Sequence, residues 1–373
     1  MTLLAGARPT FPEEDIPRIL SQIEEVLRGG RLILGPKTRE LEEAWAKKMG
    51  TRFAVALSSC TAALEIAYRF AKVKGREVVV PTNTFVATAN AALFAGADVV
   101  FADIEPDGAC ASVDDVIAKI TDRTAAVAIV HIGGFVTRDI ERLAHVCRER
   151  RIVLIEDCAH APGATLDGKA VGSFGDIGCF SLYPTKIITS GVGGVLATDN
   201  EEVALLGRSL RHHGQGASLE EIVHLGNDWL MDEVRAVLAI EQLARLDDFI
   251  AHRRAIAARY DELLAEKPWA TVPRPTPGSR PVYYKYPILL PPGVDQNEVR
   301  RTMLERHQME LGAIYSPPAH LMPLYRKARG DTPLRLPNAE ATLPRQICLP
   351  MHARVTVADA ERAVAALDDV LSG

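Results

Sequence analysis

One lysine, Lys186, occupies an unusual stretch of the sequence, FSLYPTKIITSGVGG (180–194), among apolar residues, small hydroxyl residues and glycines. A lysine amine can bond covalently to the carbonyl of a cofactor or substrate, and it can carry a proton between reacting atoms. A lysine taken at random is instead a loop residue with its ammonium in water and its stem on apolar neighbours. The other polar residues of the chain must decide between these interpretations.

A carboxylate and an imidazole follow one apolar segment. The stretch IVLIED (152–157) predicts a strand that is apolar until Glu156 and Asp157, and His160 follows shortly after it. In open parallel α/β sheets, ligands bind at the carboxyl ends of the strands. These residues are therefore candidates for a reaction centre, although a solvated strand end or a cap formed by Asp157 would explain them as well.

A phosphate site is predicted in VALSSCTAALEIAYRF (55–70), where a strand runs into a helix. Exposed N–H groups at the start of a helix attract anions, and the hydroxyl residues around 58–62 stand beside them. Ser181, which lies shortly before Lys186, offers a further hydroxyl group. A cluster of N-cap residues without a ligand would account for the same residue types.

Together, these residues match what pyridoxal 5′-phosphate requires of a protein. Its phosphate needs N–H and hydroxyl donors, as at 58–62 and Ser181, and its aldehyde needs a lysine such as Lys186. Its pyridine nitrogen needs a carboxylate such as Asp157, which keeps the nitrogen protonated. Its ring needs a flat apolar neighbour, and Phe85 in PTNTFVAT is the candidate.

The elements around these residues alternate between helices and short strands over the first two-thirds of the chain. Such alternation predicts βαβ crossovers and a mainly parallel sheet that is covered on both faces, an α/β fold. The predicted strands are 78–81, 99–104, 125–132 and 152–157, and the predicted helices are 87–96, 112–120 with Ser112 as N-cap, and 139–150.

The rest of the chain has a different pattern, which begins with a long helix predicted over residues 229–267. The elements predicted after it are a proline-rich connector (268–281), a strand (283–290) and two helices (296–307 and 355–373). We therefore expect a large α/β domain over residues 1–245, which holds the cofactor, and a smaller α+β domain over residues 246–373.

The composition narrows the class of protein. The chain has 373 residues, 47% of them hydrophobic and 24% charged, and its net charge of −5 argues against nucleic acid as a partner. Its six cysteines stand singly, without the paired spacing of a metal site, so no metal is expected. No apolar run is long enough to cross a bilayer, and the first residues lack the pattern of a secretion signal. We therefore expect a reduced, cytoplasmic protein without a membrane partner.

Longer motifs resemble one family. SSCTAALEIA, PTNTFVATANAALFAGADVVFADIEPD, the segment from IEDCAHAPGATL to PTKIITSGVGG, and MDEVRAVLAIEQLARL resemble the sugar aminotransferases of the DegT/DnrJ/EryC1/StrS family. The resemblance extends from about residue 9 to LPMHARVTVADAERAV near the C-terminus. It implies the fold-type-I, aspartate-aminotransferase-like architecture, pyridoxal 5′-phosphate as cofactor, and a homodimer whose active sites lie at the subunit interface.

By position, the resemblance assigns expected roles to residues of this sequence. Lys186 matches the lysine that holds the cofactor, and Asp157 matches the partner of the pyridine nitrogen. His160 matches a residue beside the ring near its phenolic oxygen, and Phe85 matches the aromatic residue that stacks on the ring. The matching phosphate ligands are Cys60 and Thr61, through their backbone N–H groups, and Ser181.

The sequence departs from the family pattern at several positions. Cys60 replaces a common glycine, and Val192 stands where a glutamate is frequent. In LGNDWLMDE, Asp228 occupies the place of an asparagine that reaches the phosphate of the partner subunit, and Leu230 occupies the place of an arginine. An ionised carboxylate cannot donate a hydrogen bond to phosphate, so we expect a shift by one residue that makes Asn227 the ligand.

The expected reaction is transfer of an amino group from an amino acid, with glutamate as the expected donor, to the carbonyl of a keto-sugar. A nucleotide-linked keto-deoxysugar is the preferred acceptor, and a ketocyclitol such as an inosose is the alternative. A sugar dehydratase of the same family fits less well, because such members carry histidine in place of Lys186. A non-catalytic regulator with this fold is the remaining alternative. Three residues are candidate substrate contacts or else packing residues: Tyr183, Tyr315 and His320.

Overall fold

The computed structural model describes residues 3–372 except 109, 219 and 331. Its strands are β1 (Phe53–Leu57), β2 (Glu77–Pro81), β3 (Asp98–Ala102), β4 (Thr124–Val130), β5 (Val153–Asp157), β6 (Thr165–Leu166), β7 (Lys169–Ala170), β8 (Ile177–Ser181), β9 (Gly194–Thr198), β10 (Ser279–Arg280), β11 (Tyr286–Leu289) and β12 (Gln346–Leu349). Its α-helices are α1 (Ile16–Gly29), α2 (Pro36–Met49), α3 (Cys60–Phe70), α4 (Val86–Phe94), α5 (Val113–Ala118), α6 (Ile140–Arg150), α7 (Glu201–Leu210), α8 (Glu233–Ala244), α9 (Leu246–Leu264), α10 (Gln296–His307), α11 (Pro323–Ala328), α12 (Pro337–Thr342) and α13 (Val357–Ser372). Among the helices of the described residues, none combines the length and the apolar character that crossing a bilayer requires.

A mainly parallel sheet forms the centre of the fold. In the described chain its strands follow the order β1-β9-β8-β5-β4-β2-β3, and β9 is antiparallel to both of its neighbours. Strand β4 is buried throughout. Its side chains alternate between two cores, with Val127 and Ile129 on one face and Ala126 and Ala128 on the other. The predicted α/β fold is confirmed, although β3 and β4 each end two residues earlier than predicted.

The long helix predicted over residues 229–267 is wrong. Residues 233–264 form two helices, α8 and α9, which meet at Arg245, where the backbone (φ −91°, ψ −2°) leaves the helical path. The guanidinium of Arg245 donates two hydrogen bonds of 2.8 Å to Asp15, which ties this junction to the N-terminal segment. Helix α8 begins only after Asp232, whose side chain accepts an N–H group of the first turn. The apolar spacing continues across the junction, so the sequence pattern gives no sign of the break.

Two predictions about the ends of elements also need correction. Ser112 precedes α5 as predicted, but its side chain makes no capping hydrogen bond. The strand predicted at 283–290 begins later, because Tyr283 has a left-handed backbone (φ 47°) that interrupts extended pairing. Tyr284 and Lys285 therefore precede β11 and belong to a turn.

The C-terminal residues build a hydrophobic core around β11, β12, α10 and α13. Its buried side chains come from residues 256–367, together with Leu4. We propose that a large domain (1–245) and a small domain (246–373) meet at the junction of α8 and α9, and this separate core supports the division.

Candidate active site

The carboxyl ends of β5 and β8 hold the centre of the site. Asp157 ends β5 and lies opposite Cys179 of β8. The residue is 4% exposed; Thr88 Oγ1 donates to its Oδ2 at 2.7 Å, and the Ala159 N–H donates to its Oδ1 at 3.0 Å. Burial raises the pKa of the Asp157 carboxyl, and both hydrogen bonds and the charge of Lys186 oppose that rise. The carboxylate is therefore fixed in one orientation.

Glu156, predicted as part of the same group, faces away from the site. Its carboxylate accepts the N–H groups of Gly172 at 2.8 Å and Gly175 at 2.7 Å, and it lies 2.9 Å from His131 Nε2. Successive residues of a strand point to opposite faces, which explains this division. By distance, Glu156, His131 and Cys158 could hold a metal ion. The occupied carboxylate and the raised pKa of the buried Cys158 thiol favour instead a structural role, in which Glu156 fixes the loop before β8.

Lys186 follows β8 in a half-buried turn, where its backbone N–H donates to Tyr183 O at 3.0 Å. Its Nζ lies 4.9 Å from the centre of the Tyr284 ring, a contact that was not predicted. Within the described residues, this amine forms no hydrogen bond and no ion pair. Its charge acts on Asp157 and His160. The structure thus brings two of the predicted groups, Asp157 and His160, close to an amine that has no hydrogen-bond partner among the described residues.

His160 is held between a backbone N–H group and a tyrosine. The Gly133 N–H donates to Nδ1 at 3.1 Å, so the neutral ring carries its proton on Nε2 and donates it to Tyr315 Oη at 3.0 Å. Burial lowers the pKa of His160 well below its ordinary value, and the charges of Lys186 and Lys285 lower it further. His160 is therefore a neutral hydrogen-bond donor at this site.

Four rings, those of Phe85, His160, Tyr284 and Tyr315, form an aromatic wall on the site. The ring centres of Phe85 and Tyr315 are 5.7 Å apart, and those of His160 and Tyr315 are 5.8 Å apart. The ring centres of Tyr284 and His160 are 4.4 Å apart. Phe85 directly precedes α4 and is 55% exposed, so its ring offers an open face against which a flat ligand can pack.

The start of α3 lies close to Ser181. Cys60 is the first residue of α3, and Ser59 caps the helix by accepting an N–H group of the first turn at 3.1 Å. Ser181 pairs with Gly194 across β8 and β9, and a Cβ atom on Gly194 would lie 2.3 Å from the Cys60 nitrogen. Only glycine permits this approach. The N–H groups of Cys60 and Thr61 have no acceptor inside the helix, so they and Ser181 form an arrangement that suits an anion.

Asn227 and Asp228 lie in an extended segment that pairs with residues 210–213. The Asn227 N–H donates to Leu210 O at 2.9 Å, and Asp228 pairs with His212. Both side chains are exposed, and Asn227 Oδ1 accepts the Asp228 N–H at 2.9 Å. Their described contacts within one subunit do not reach the amine and its neighbours. The contact of Asn227 with a partner subunit stays a prediction.

The two other candidate substrate contacts differ in accessibility. His320 is fully buried, with Nδ1 2.8 Å from Thr82 Oγ1 and Nε2 3.3 Å from Glu340 Oε1. It joins the C-terminal region to the loop before α4, so the packing alternative is confirmed for this residue. Tyr183 is 54% exposed in the turn before Lys186 and remains accessible to a substrate.

Thr88 and Tyr284 are contacts of the site that were not predicted. Thr88 stands three residues after Phe85, and residues at that spacing share one side of a helix, so this signal was present in PTNTFVAT. Tyr284 gave no such signal, because the run YYKYPILL predicts a regular strand and does not reveal the turn before β11.

Known proteins are similar to this chain in fold and in sequence. The family model of the DegT/DnrJ/EryC1/StrS aminotransferase family matches residues 13–368. The dTDP-4-dehydro-2,3,6-trideoxy-D-glucose 4-aminotransferase of Saccharopolyspora spinosa is 34% identical and covers 89% of this chain and 89% of its own. The aminotransferase TlmJ from Streptoalloteichus hindustanus is 32% identical over 99% of both chains, with a TM-score of 0.91. PseC of Helicobacter pylori, an aminotransferase of pseudoaminic acid biosynthesis, is 25% identical over 100% of both chains, with a TM-score of 0.92.

The side chains of the site fit the cofactor of these enzymes, pyridoxal 5′-phosphate. The start of α3 offers N–H donors for the phosphate, Lys186 offers an amine for the aldehyde, and Asp157 offers a buried carboxylate for the ring nitrogen. The family model covers residues 13–368, and the fold superposes on solved aminotransferases; both findings agree with a site for this cofactor. The chain therefore belongs to the DegT/DnrJ/EryC1/StrS aminotransferase family and is a pyridoxal-phosphate-dependent transaminase of the fold-type-I architecture.

Proposed function

We propose that the protein transfers an amino group from an amino acid, with glutamate as the donor, to the carbonyl of a nucleotide-linked keto-deoxysugar. The observation that carries this proposal is the Lys186 amine, which has no partner among the described residues and lies beside Asp157 and the aromatic wall. The Saccharopolyspora spinosa relative is an aminotransferase for a dTDP-linked 4-keto-deoxysugar, which supports the class of acceptor.

Each part of the site has a proposed role. When bound, pyridoxal 5′-phosphate supplies an aldehyde that takes up the amino group and a ring that accepts electrons. Lys186 holds the cofactor and, once released by the donor, moves the proton that the reaction shifts. Asp157 keeps the ring nitrogen protonated. The proposed contacts to the ring and the phosphate are Phe85, His160, Cys60, Thr61 and Ser181.

A panel of acceptors tests the proposed substrate class. The holoenzyme is incubated with L-glutamate and, separately, with nucleotide-linked 3-keto and 4-keto sugars and an inosose, and 2-oxoglutarate and the aminated product are measured. We expect one of the nucleotide-linked sugars to be aminated, with kcat/KM at least about 100-fold above that of the inosose, because the nucleotide adds binding contacts. Amination of the inosose alone would contradict the proposal in favour of a ketocyclitol, and loss of water without amination would indicate a dehydratase.

We also propose that the protein is a cytoplasmic homodimer with shared active sites. Leu225 is 86% exposed and Ile222 is 59% exposed, close in sequence to Asn227, and an interface would remove these apolar side chains from water. The six cysteines are free thiols, which suits a reducing compartment. Sedimentation equilibrium should give twice the chain mass of 40.6 kDa, and a fully active monomer would contradict the shared site.

Asn227→Ala is expected to weaken retention of the cofactor by about 1–3 kcal/mol, the usual loss for a hydrogen bond to a charged group. In the proposal, the Asn227 amide donates to the phosphate that the partner subunit binds at Thr61 and Ser181. Asn227 and Asp228 are successive residues of an extended segment, so their side chains point to opposite sides. If Asn227 faces the partner, Asp228 turns away. Dialysis followed by measurement of the remaining pyridoxal phosphate gives the retention.

Asp228→Asn is the matched control for this experiment. If the Asp228 side chain points away from the phosphate, removal of its charge should leave retention of the cofactor at the parent level. If Asn227→Ala retains cofactor like the parent and Asp228→Asn binds it more tightly, Asp228 faces the phosphate and the shift by one residue is wrong.

A further inference from the structure

A second amine, that of Lys285, contacts the same tyrosine ring of the aromatic wall as Lys186. Its Nζ lies 5.1 Å from the centre of the Tyr284 ring, and Lys186 Nζ lies 4.9 Å from the same centre. The two nitrogen atoms can be no farther apart than the sum of these distances. Both ammonium groups therefore lie around one aromatic ring of the site.

Lys285 has no acidic partner in the part of the chain that the structure describes. Lys285 is half-buried, and its backbone N–H donates to Gly133 O at 3.0 Å, whereas its ammonium forms no hydrogen bond or ion pair with the described residues. Four lysines elsewhere in the chain do pair with carboxylates: Lys37, Lys48, Lys119 and Lys267. A cation that has lost part of its hydration without gaining a counter-ion favours the arrival of an anion.

The charge of Lys285 lowers the pKa of two residues at the reaction centre, Tyr284 and His160. Burial alone would raise the pKa of the Tyr284 hydroxyl, but the charges of Lys186 and Lys285, with smaller effects of Thr185 and Arg253, lower it below its ordinary value. The pKa of His160, which burial lowers, is lowered further by the same two charges. The site thus contains two cations, Lys186 and Lys285, and the proposed reaction gives a role to Lys186 alone.

We propose that Lys285 binds an oxyanion of a substrate during transamination, either a carboxylate of the amino donor or a phosphate of the nucleotide-linked acceptor. An ammonium is a compact charge with three donors, and it suits both groups. The Tyr284 ring contacts the ammonium through a cation–π interaction, and the ammonium has no hydrogen-bond acceptor among the described residues. The inference rests on the proposed function, because only that reaction supplies both oxyanions.

The test measures binding without turnover. Glutarate carries the two carboxylates of glutamate without its amine, and UDP and dTDP carry the diphosphate of the acceptor. The affinity of the holoenzyme for each probe is measured by calorimetry at low and high salt. In Lys285→Met, we expect the dissociation constant of one probe to rise at least about tenfold at low salt, with a weaker salt dependence than in the parent, because one charge contact is lost.

Two variants serve as controls. Lys285→Arg keeps the charge and should retain most of the affinity. Lys169, whose Nζ lies 4.7 Å from the centre of the Phe174 ring, makes the same kind of cation–π contact on β7, and Lys169→Met should bind every probe like the parent. Lys285→Gln repeats the test with a polar side chain in case Lys285→Met unfolds, and thermal melting checks the fold of each variant.

The probe that loses affinity identifies the source of the oxyanion. A loss confined to glutarate assigns Lys285 to the donor carboxylate, and a loss confined to the nucleotides assigns it to the acceptor phosphate. Unchanged affinity of Lys285→Met and Lys285→Gln for all probes would overturn the inference, as would a parent protein that binds none of them. Failure of the parent to aminate any nucleotide-linked sugar would contradict the proposed function instead, since probe binding requires no turnover.

Discussion

Replacement of Lys186 with alanine is expected to lower kcat by at least about 10³-fold, because the side chain has two proposed tasks that no neighbour can assume. It binds the cofactor, and it moves the proton once it has been released. Its Nζ lies 4.9 Å over Tyr284 without a hydrogen-bond partner among the described residues, so the amine is available for both tasks. The variant should lack the visible absorbance of the lysine-bound cofactor. Borohydride reduction of the parent should place the label on the peptide that contains Lys186.

Lys186→Arg separates the role of the amine from that of its charge. A guanidinium stays protonated at neutral pH, so it can neither attack an aldehyde nor take up a proton. We therefore expect this variant to be as inactive as Lys186→Ala, whereas Lys169→Ala should turn over like the parent. Normal turnover in Lys186→Arg, or label on another lysine of the parent, would contradict the assignment.

Asp157→Asn is expected to slow transamination by orders of magnitude, on the order of several kcal/mol in the barrier, because the charge that holds the proton of the ring nitrogen is lost. The local structure can accept the amide. Thr88 Oγ1 lies 2.7 Å from Thr84 Oγ1, so its hydroxyl can donate there and accept a hydrogen bond from the new amide nitrogen. Single-turnover kinetics with L-glutamate measure the effect.

Thr88→Val is the matched control, since it removes the hydrogen bond of 2.7 Å to Asp157 and keeps the carboxylate. Loss of one such bond corresponds to about 1–3 kcal/mol, so we expect a much smaller loss of rate than in Asp157→Asn. Near-normal turnover of Asp157→Asn would show that another group protonates the ring.

The stability of the ligand-free protein gives an independent expectation for Asp157. Because burial raises the pKa of this carboxyl in the folded chain, the folded state keeps a proton that the unfolded state has already released. The free energy of unfolding therefore falls as the pH rises from the ordinary value of 3.8 towards the raised one. Ligand-free Asp157→Asn should melt above the ligand-free parent at neutral pH, and the difference should shrink on acidification. A lower melting temperature for the variant at neutral pH would contradict the burial effect.

The sequence by itself determined the local part of this protein. The apolar spacing located β2 and β5 to within one residue and gave α10 its observed bounds, because side chains within one element repeat at the period of that element. It also placed polar residues directly after buried strands. It failed at Arg245, because a turn of the backbone that keeps the apolar spacing in phase leaves no mark on the pattern.

Only the tertiary structure decided which polar residues meet. Thr88 and Asp157 stand 69 positions apart, and His160 and Tyr315 stand 155 positions apart. Glu156 and Asp157 are adjacent and carry the same chemical group, yet one fixes the loop before β8 and the other lies at the site. The strand period requires that they face opposite sides, but the side that holds the site depends on where α4 and the turn before β11 pack against the sheet. Those contacts join distant segments, so no local period in the sequence encodes them.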